Sequence, residues 1–412
     1  MINRPRGTRD LLLEEMEKRK VLEDVFRRTC ESFGYREVLT PTFEHTELFT
    51  ERSGPSIIDS LYAFKDKSGR ELSLRPEFTA PVIRAYVEGL RERPKPLKLY
   101  YFGPTFRYER PQAGRYREFW QFGTELIGPD TPRADAENIA LAYECMRRAG
   151  LEDFKLNISH LGVLETFFNE RNISEDAGDI YHAIDNESMD DIECEVELKM
   201  ELETILESDI DKIKNMLNDT SSIDYLQEVL NCLEKYGIGS EKYSVNFSTV
   251  RGLDYYKGVV FEFEAESLGA EKQICGGGDY TLGDIFGVEV SSKGFAIGFD
   301  RTLIALEKEG KAGDIQRNNC YLIPIGEESM DYAYEVLTTL REDGVPTDIE
   351  MMDRSVGKSL SYADRTGFKY SILIGEDEVK SDSVTIKNMK SGEQSTIEKD
   401  TLLEVFRQFE AE

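Results

Sequence analysis

The chain has 412 residues, enough for two or three domains that each bury their own core. Apolar residues make up 40% of it, yet no run approaches the ~18 apolar residues of a membrane span, and the N-terminus MINRPRGTRDLLLEEM has no apolar h-region; a cytoplasmic globular protein is expected. A formal net charge of -29 repels phosphate at long range, which argues against a generic nucleic-acid coat but leaves room for a local basic face.

From Glu14 to Phe33 apolar residues recur at helical spacing (Met16, Leu22, Val25, Phe26, Cys30), and Gly34 ends the run. GYREVLTPTFEHTELF, broken by Pro41, reads as extended. LYAFKDKSGRELSLRPEFT reads as two strands joined at Lys67-Ser68-Gly69, followed by a helix from Thr79 to Leu90. KLYYFGPTFRYER and REFWQFGTELIG form two long strands around the turn Pro111-Gln112-Ala113-Gly114, and Ala134 to Gly150 is a helix. Between Ile173 and Tyr236 acidic runs such as DNESMDDIECEVELKMELE appear, and Ile223, Leu226, Leu230 and Leu233 make a helical stripe: a helical insertion with a solvated face.

Strand patterns return in SVNFSTVRGLDYYKGVVFEFEAE. A Gly-rich turn, Gly276 to Gly278, then leads into GFAIGFDRTLIALEKEG, which reads as strand, turn and helix. A linker from Lys311 to Asn319 opens a last unit. There CYLIPIG, a helix from Met330 to Arg341, PTDIEMM, a helix near Ser355 to Thr366, YSILIG and SVTIKNM alternate strand and helix. That alternation predicts a small α/β domain with a largely parallel sheet. Six cysteines (Cys30, Cys145, Cys194, Cys232, Cys275, Cys320) form no C-x-x-C pair, and His45, His160 and His182 lie far apart. No metal site is expected, and the cysteines read as small buried apolar residues in a reducing compartment.

Four constellations carry chemistry. In the hairpin FRYERPQAGRYREFWQFGTELIG, strand alternation puts Phe119, Gln121, Gly123 and Glu125 on one face, with Arg107 and Arg115 near the open end. Planar guanidinium groups grip phosphate oxygens bidentately, so a phosphate compound with a polar head group fits; a solvated hairpin of Arg–Glu pairs is the plainer reading. RGLDYYKG sets Arg251 and the adjacent Tyr255 and Tyr256 before the apolar strand VVFEF, as a charge for a transferring phosphoryl group or as aromatic packing at a strand entry. GFAIGFDRT puts Arg301 in the first turn of a helix, where the dipole disfavours a cation; it answers either to an external anion or to solvent. RPEFT places Glu77 and Thr79 two apart on a strand face able to hold an ammonium group, or else ends a strand with Thr79 as helix N-cap.

VGKS at Val356 to Ser359 lacks the first glycine and the Gly-rich loop of a P-loop. Arg354, Lys358 and Arg365 instead fall within roughly 40° on a helical wheel, as a nucleic-acid face or a merely solvated one.

PRGTRDLL, RPEFTAP, FRYERPQAGRYREF, RGLDYY and GFAIGFDR, with the C-terminal α/β unit, together resemble the histidyl-tRNA synthetase family of class II aminoacyl-tRNA synthetases. The resemblance implies an α+β fold: a six- or seven-stranded antiparallel sheet flanked by helices over residues 1–172 and 237–310, a helical insertion at 173–236, an anticodon-binding α/β domain at 318–412, and a homodimer. It implies L-histidine, ATP with magnesium, and tRNA(His) as partners, with no metal held by the protein itself. Arg107 then faces the ATP α-phosphate, Arg115 the outer phosphates, and Arg301 is the motif 3 arginine. Arg251 stabilises charge at the α-phosphate. Glu77, Thr79 and Gln121 hold the α-amino group, Glu125 and Tyr256 bond the imidazole, and Tyr255 lines the same pocket. Arg354, Lys358 and Arg365 face tRNA. Two positions depart from the family pattern: Phe78, where smaller or more flexible residues are usual, and GGGDYTLGD, which lacks the arginine of the common Gly-rich-Arg-Tyr-Asp form. The resemblance extends to the histidine-sensing regulatory subunit of ATP phosphoribosyltransferase, which generally lacks the anticodon-binding domain.

Overall fold

The computed structural model describes residues 2–50, 58–110, 115–173, 180–181, 183–184, 196–250, 256–312 and 320–411. Arg251, Tyr255, His182, Cys194, the expected turn at 111–114, most of the acidic run and most of the expected linker lie outside the described residues. The chain divides into two compact units, Met1–Gly313 and Asp314–Glu412. No helix among the described residues is long and apolar enough to cross a membrane.

In the first unit the strands are β1 (Arg36–Glu37), β2 (Phe43–His45), β3 (Ala63–Lys65), β4 (Glu71–Leu74), β5 (Leu97–Phe106), β6 (Glu118–Ile127), β7 (Lys155–His160), β8 (Ser244–Val245), β9 (Tyr256–Glu264), β10 (Gln273–Tyr280) and β11 (Ser292–Gly298). Eight of them form one sheet in the order β1-β5-β6-β11-β10-β9-β7-β8. The six inner strands are antiparallel throughout, and a two-residue parallel strand is added at each edge, β1 on β5 and β8 on β7. The expected count of six or seven thus describes the antiparallel core. β2, β4 and β3 make a small separate antiparallel sheet.

Helices α1 (Leu13–Ser32), α2 (Thr79–Ala85), α3 (Pro132–Arg148), α4 (Leu161–Glu170), α5 (Ser221–Lys235) and α6 (Phe299–Lys308) surround the large sheet. α2 runs on as a wider π turn over Tyr86–Leu90. α3 shows why such segments start and stop: the Thr131 hydroxyl caps the Ala134 amide at 3.4 Å, Pro132 takes the first turn, and Arg147 and Arg148 sit at the negative end of the dipole. The main core joins α1 (Phe26, Cys30), α3 (Ile139, Leu141) and the sheet (Phe122, Phe261, Phe295). The stripe Ile223, Leu226, Leu230 and Leu233 on α5 is buried in that same core.

Gly276 to Gly278 do not form a turn. They lie within β10, hydrogen-bonded to β9 on one side and β11 on the other. Glycine is used there for close approach: a Cβ at Gly277 would meet the Gly294 carbonyl oxygen at 2.3 Å, and one at Gly278 the Val259 carbonyl oxygen at 2.4 Å. RPEFT also departs from expectation, since the strand ends at Leu74 and the chain turns directly into α2.

The second unit contains β12 (Cys320–Pro324), α7 (Met330–Glu342), β13 (Thr347–Ile349), α8 (Val356–Thr366), β14 (Tyr370–Ile374), β15 (Ser383–Asn388), β16 (Gln394–Glu398) and α9 (Leu402–Ala411). Its sheet order is β13-β12-β14-β15-β16. The first two pairings are parallel and the last two antiparallel, so the sheet is half parallel rather than largely so. The Asn388 side chain accepts from the Lys390 and Ser391 amides, and Gly392 adopts φ 76°. So tight a turn can only return an antiparallel strand.

Candidate active site

The open face of the sheet is floored by β6, β11 and β10. On β6, Phe122, Thr124 and Leu126 are buried on the helix side, so the period of two turns Gln121, Gly123 and Glu125 to the other face. Their register partners on β11 are Gly298, Ala296 and Gly294, all small. A Cβ at Gly294 would lie 2.1 Å from Oε2 of Glu125, and one at Gly123 would lie 2.4 Å from the Tyr101 hydroxyl. A cleft of about 300 Å³ opens on this face over Ala296 and Gly298, and its lining includes Arg107, Arg115, Gln121, Gly276, Asp300 and Arg301.

Glu125 is buried. Its carboxylate accepts from the Tyr280 hydroxyl at 2.5 Å and the Tyr101 hydroxyl at 3.3 Å. Burial pushes its carboxyl up to about 8, against the opposing pull of the Tyr280 hydrogen bond, with Thr79 and Glu77 as close neighbours. Tyr101 is held by stacking on Phe78 at a centroid distance of 4.5 Å, which accounts for the large residue in RPEFT. Arg75 locks that segment from behind, donating to the Pro104 carbonyl at 2.9 Å and the Thr40 carbonyl at 2.8 Å.

Glu77 is not on a strand face. Its carboxylate accepts from the Thr79 amide at 2.5 Å and the Ala80 amide at 3.1 Å, so Glu77, and not Thr79, caps α2. Burial raises its carboxyl, while those amides and the charge of Arg107 act the other way. The side-chain oxygen Oε1 of Gln121 is buried with no hydrogen-bond partner among the described residues. Such an acceptor is matched to a donor such as an ammonium group.

Arg107 follows β5, and its Nε donates to the Pro76 carbonyl at 3.0 Å. Arg301 stands in the first turn of α6, with Nη1 donating to the Gln273 carbonyl at 3.0 Å. Arg115 is ion-paired with Glu109, a cleft residue that sequence reasoning missed although it stands two places after Arg107. Arg117 packs over the Tyr108 ring at 3.9 Å and donates to the Glu109 carbonyl at 3.1 Å, a role in holding the hairpin; Arg110 is exposed. Tyr256 opens β9 opposite Tyr280 in register. The structure therefore brings Arg107, Arg115, Gln121 and Arg301 to one cleft with Glu109 and Asp300, while Glu77, Thr79, Glu125, Tyr101 and Tyr280 form a buried cluster of their own, linked to it through the charge of Arg107 on Glu77. Arg251 and Tyr255 lie outside the described residues.

Asp279, where the family pattern has arginine, sits opposite Lys293 in register and forms a 2.5 Å ion pair with it, shared with Asp135 of α3 at 3.0 Å. It ties the sheet to the helix layer and does not reach into the cleft. Burial and the neighbouring Asp135 charge push the Asp279 carboxyl well up, while the two acids hold the Lys293 ammonium above its ordinary value despite its burial.

In the second unit Arg354 does not share the helix face of Lys358 and Arg365. It precedes α8, packs over Tyr362 at 4.4 Å and donates to Glu350 at 3.1 Å and 3.2 Å. Glu350 also accepts from Tyr321, Ser359 and the Met352 amide; burial alone would raise its carboxyl, but these bonds hold it at about 2. Lys358 and Arg365 are exposed.

The family model described as Histidyl-tRNA synthetase matches residues 7–302, and one described as Anticodon binding domain matches residues 319–409. The chain is 43% identical to a histidine–tRNA ligase of Archaeoglobus fulgidus, over 98% of this chain and 100% of that one. Its fold matches the apo S. aureus histidyl-tRNA synthetase with a TM-score of 0.78 at 34% identity, over 98% of this chain and 100% of that one. It also matches a Bacillus halodurans protein described as an ATP phosphoribosyltransferase regulatory subunit/histidyl-tRNA synthetase, with a TM-score of 0.76 at 26% identity, over 91% and 98%.

Proposed function

The chain belongs to the histidyl-tRNA synthetase family, and we propose that the cleft described above carries out its chemistry with the residues assembled there. The protein is an aminoacyl-tRNA ligase that joins histidine to tRNA at the expense of ATP. Full-length ligase relatives and the anticodon-binding match favour this over the histidine-sensing regulatory subunit.

One observation carries the assignment of the amino acid: a buried carboxyl group, Glu125, flanked by two phenols, on the same strand face as the Oε1 of Gln121, which has no partner among the described residues. Glu125, with Tyr256 and Tyr255, accepts and donates to the imidazole nitrogens. Gln121, Glu77 and Thr79 receive the α-ammonium group. An apolar rival leaves those groups unpaired, and sites of this type discriminate by about 10⁴ or more.

The histidine carboxylate attacks the α-phosphorus of ATP in line, giving histidyl-adenylate and pyrophosphate. A ribose hydroxyl at the 3′ end of tRNA(His) then attacks the activated carbonyl and releases AMP. Arg107, Arg251 and Arg301 balance charge at the α-phosphate and Arg115 at the outer phosphates, so catalysis is positioning plus electrostatics. Among the described residues no group of three His, Cys, Asp or Glu could hold a metal ion. The cleft acids Glu109 and Asp300 are already engaged by arginines, so magnesium is read as entering with ATP rather than as a resident ion.

Residues 1–172 and 237–310 form the catalytic part, 173–236 an insertion, and 318–412 the part that meets the anticodon, through Lys358 and Arg365. The buried thiols of Cys30, Cys145 and Cys320 suit a reducing cytoplasm. Phe43 and Phe64, both exposed and in ring contact at 6.5 Å on the small sheet, support a homodimer; a monomer by sedimentation would refute that.

The activity is tested by ATP–pyrophosphate exchange with each of the twenty amino acids. Histidine alone is expected to support exchange, and a folded protein that exchanges with none, or equally with others, overturns the assignment.

A further inference from the structure

The segment before α1 is exposed on both sides but half-buried at Gly7, Thr8 and Arg9. Gly7 adopts φ 85°, and the Thr8 amide and hydroxyl both turn back to the Pro5 carbonyl, at 3.2 Å and 2.8 Å. This bend lays the strap against the arginine hairpin: the Arg117 amide donates to the Gly7 carbonyl at 2.9 Å. Arg9 then spans two elements. Its Cζ lies 4.1 Å from the centroid of the Tyr116 ring of the hairpin, Nη1 donates to Glu15 at 3.3 Å, and Nη2 is ion-paired with Asp300, the residue before Arg301. Asp300 is 4% exposed, and it also accepts from Arg19 of α1 and from the Trp120 amide of β6 at 2.8 Å.

We propose that Arg9 is a positioning residue for ATP, clamping the hairpin that carries Arg107 and Arg115 to the helix start that carries Arg301. This rests on ATP lying in the cleft as proposed above. The clamp has two effects. It fixes the separation of guanidinium groups carried by elements far apart in sequence, at a cleft wall formed by Tyr116, Trp120, Asp300 and Arg301. Together with Arg19 it also offsets the charge of Asp300, which lines the cleft. Arg9 touches the hairpin at Tyr116, ahead of β6, whereas Glu125 lies deeper along that strand and Glu77 and Thr79 lie at the start of α2, so the larger effect falls on the nucleotide.

The test is steady-state ATP–pyrophosphate exchange with the full-length protein and with Arg9→Ala, Arg9→Lys, Tyr116→Ala and Arg301→Ala. Arg9→Ala is expected to raise the KM for ATP about tenfold while the KM for histidine stays within about twofold. Arg9→Lys, which keeps the charge but not the planar stacking, and Tyr116→Ala, which keeps the ion pair, each raise it about threefold. The lysine variant keeps the test open should the alanine variant fold poorly. An unchanged KM for ATP in Arg9→Ala, or equal rises for both substrates, overturns the clamp. If Arg301→Ala impairs ATP use and Arg9→Ala does not, the clamp alone is wrong. If wild type exchanges while Arg301→Ala leaves ATP use untouched, the placement of ATP fails and takes the clamp with it.

Discussion

The hydroxyl of Tyr280 donates to Oε2 of Glu125 at 2.5 Å, across two strand pairings and 155 residues of chain. It fixes one oxygen of a carboxyl group that has no ion pair among the described residues, and so sets the direction in which the other oxygen can meet a ligand. Tyr101 reaches Oε1 at only 3.3 Å and is the weaker partner. Tyr280→Phe is therefore expected to raise the KM for histidine about tenfold, and Tyr101→Phe distinctly less, since its contact is longer and weaker. The KM for ATP should move by less than about twofold in both. Equal effects of the two variants would show that the shorter contact carries no extra weight.

The elevated Glu125 carboxyl makes a prediction about stability. Its value is about 8 in the fold against 4.5 for the ordinary side chain, because burial disfavours the charge. The native state therefore binds this proton more tightly than the unfolded chain. Its contribution is fully present below about pH 4.5 and disappears as pH rises through about 8. Glu125→Gln removes the titration. Thermal melts of ligand-free protein should show wild type losing ground to Glu125→Gln between about pH 5 and pH 9. Parallel melting curves across that range would mean that the carboxyl is ionised throughout and solvated by something besides its two phenols.

Period-two alternation along a single strand made Gln121 and Glu125 legible, because both lie on β6 and need no partner to be placed on one face. Tyr280 was not legible in the same way. Its approach to Glu125 depends on the register of β6 on β11 and of β11 on β10, which local pattern does not encode. Gly276 to Gly278 suggested a turn because glycine usually marks one, whereas here the absent side chains let neighbouring strands close in. The wheel through Arg354, Lys358 and Arg365 assumed a helix two residues too long: Asp353 sits at φ 50° and breaks the chain before Arg354, and α8 begins only at Val356. The four guanidinium groups of the hairpin were visible at once, but only tertiary contacts separate Arg107 and Arg115 from Arg117, which is used to hold the strand ends together.

Lys293 is fully buried between Asp279 and Asp135, so its removal leaves two carboxylates without a counter-charge. Lys293→Met should destabilise the first unit by about 3–5 kcal/mol, the usual cost of breaking a buried pair. Asp279, already held well above its ordinary value by burial, then favours the protonated form still more. The deficit should grow as pH rises, because groups held above their ordinary value lose their contribution on ionising. Thermal melts across pH check this. A Lys293→Met protein that melts like wild type at high pH would mean that the network is hydrated and not a tie between sheet and helix.

Lys358 and Arg365 project from one exposed stretch of α8, while Arg354 is committed to Glu350 and Tyr362 within its own unit. The three cations should therefore separate by experiment. Lys358→Glu with Arg365→Glu leaves ATP–pyrophosphate exchange unchanged, since adenylate formation needs no tRNA. The same protein should show a KM for tRNA in aminoacylation raised about tenfold or more, and a salt dependence of tRNA binding shallower by about one to two phosphate contacts. Arg354→Ala should act differently, lowering the melting temperature of the second unit, because Glu350 loses a partner in a largely buried network with Tyr321 and Ser359. Its effect on tRNA then follows from loss of fold and should vanish on cooling well below the melt. If the charge reversals at Lys358 and Arg365 leave both the KM for tRNA and the salt slope unchanged, α8 presents a solvated face and tRNA contacts the unit elsewhere.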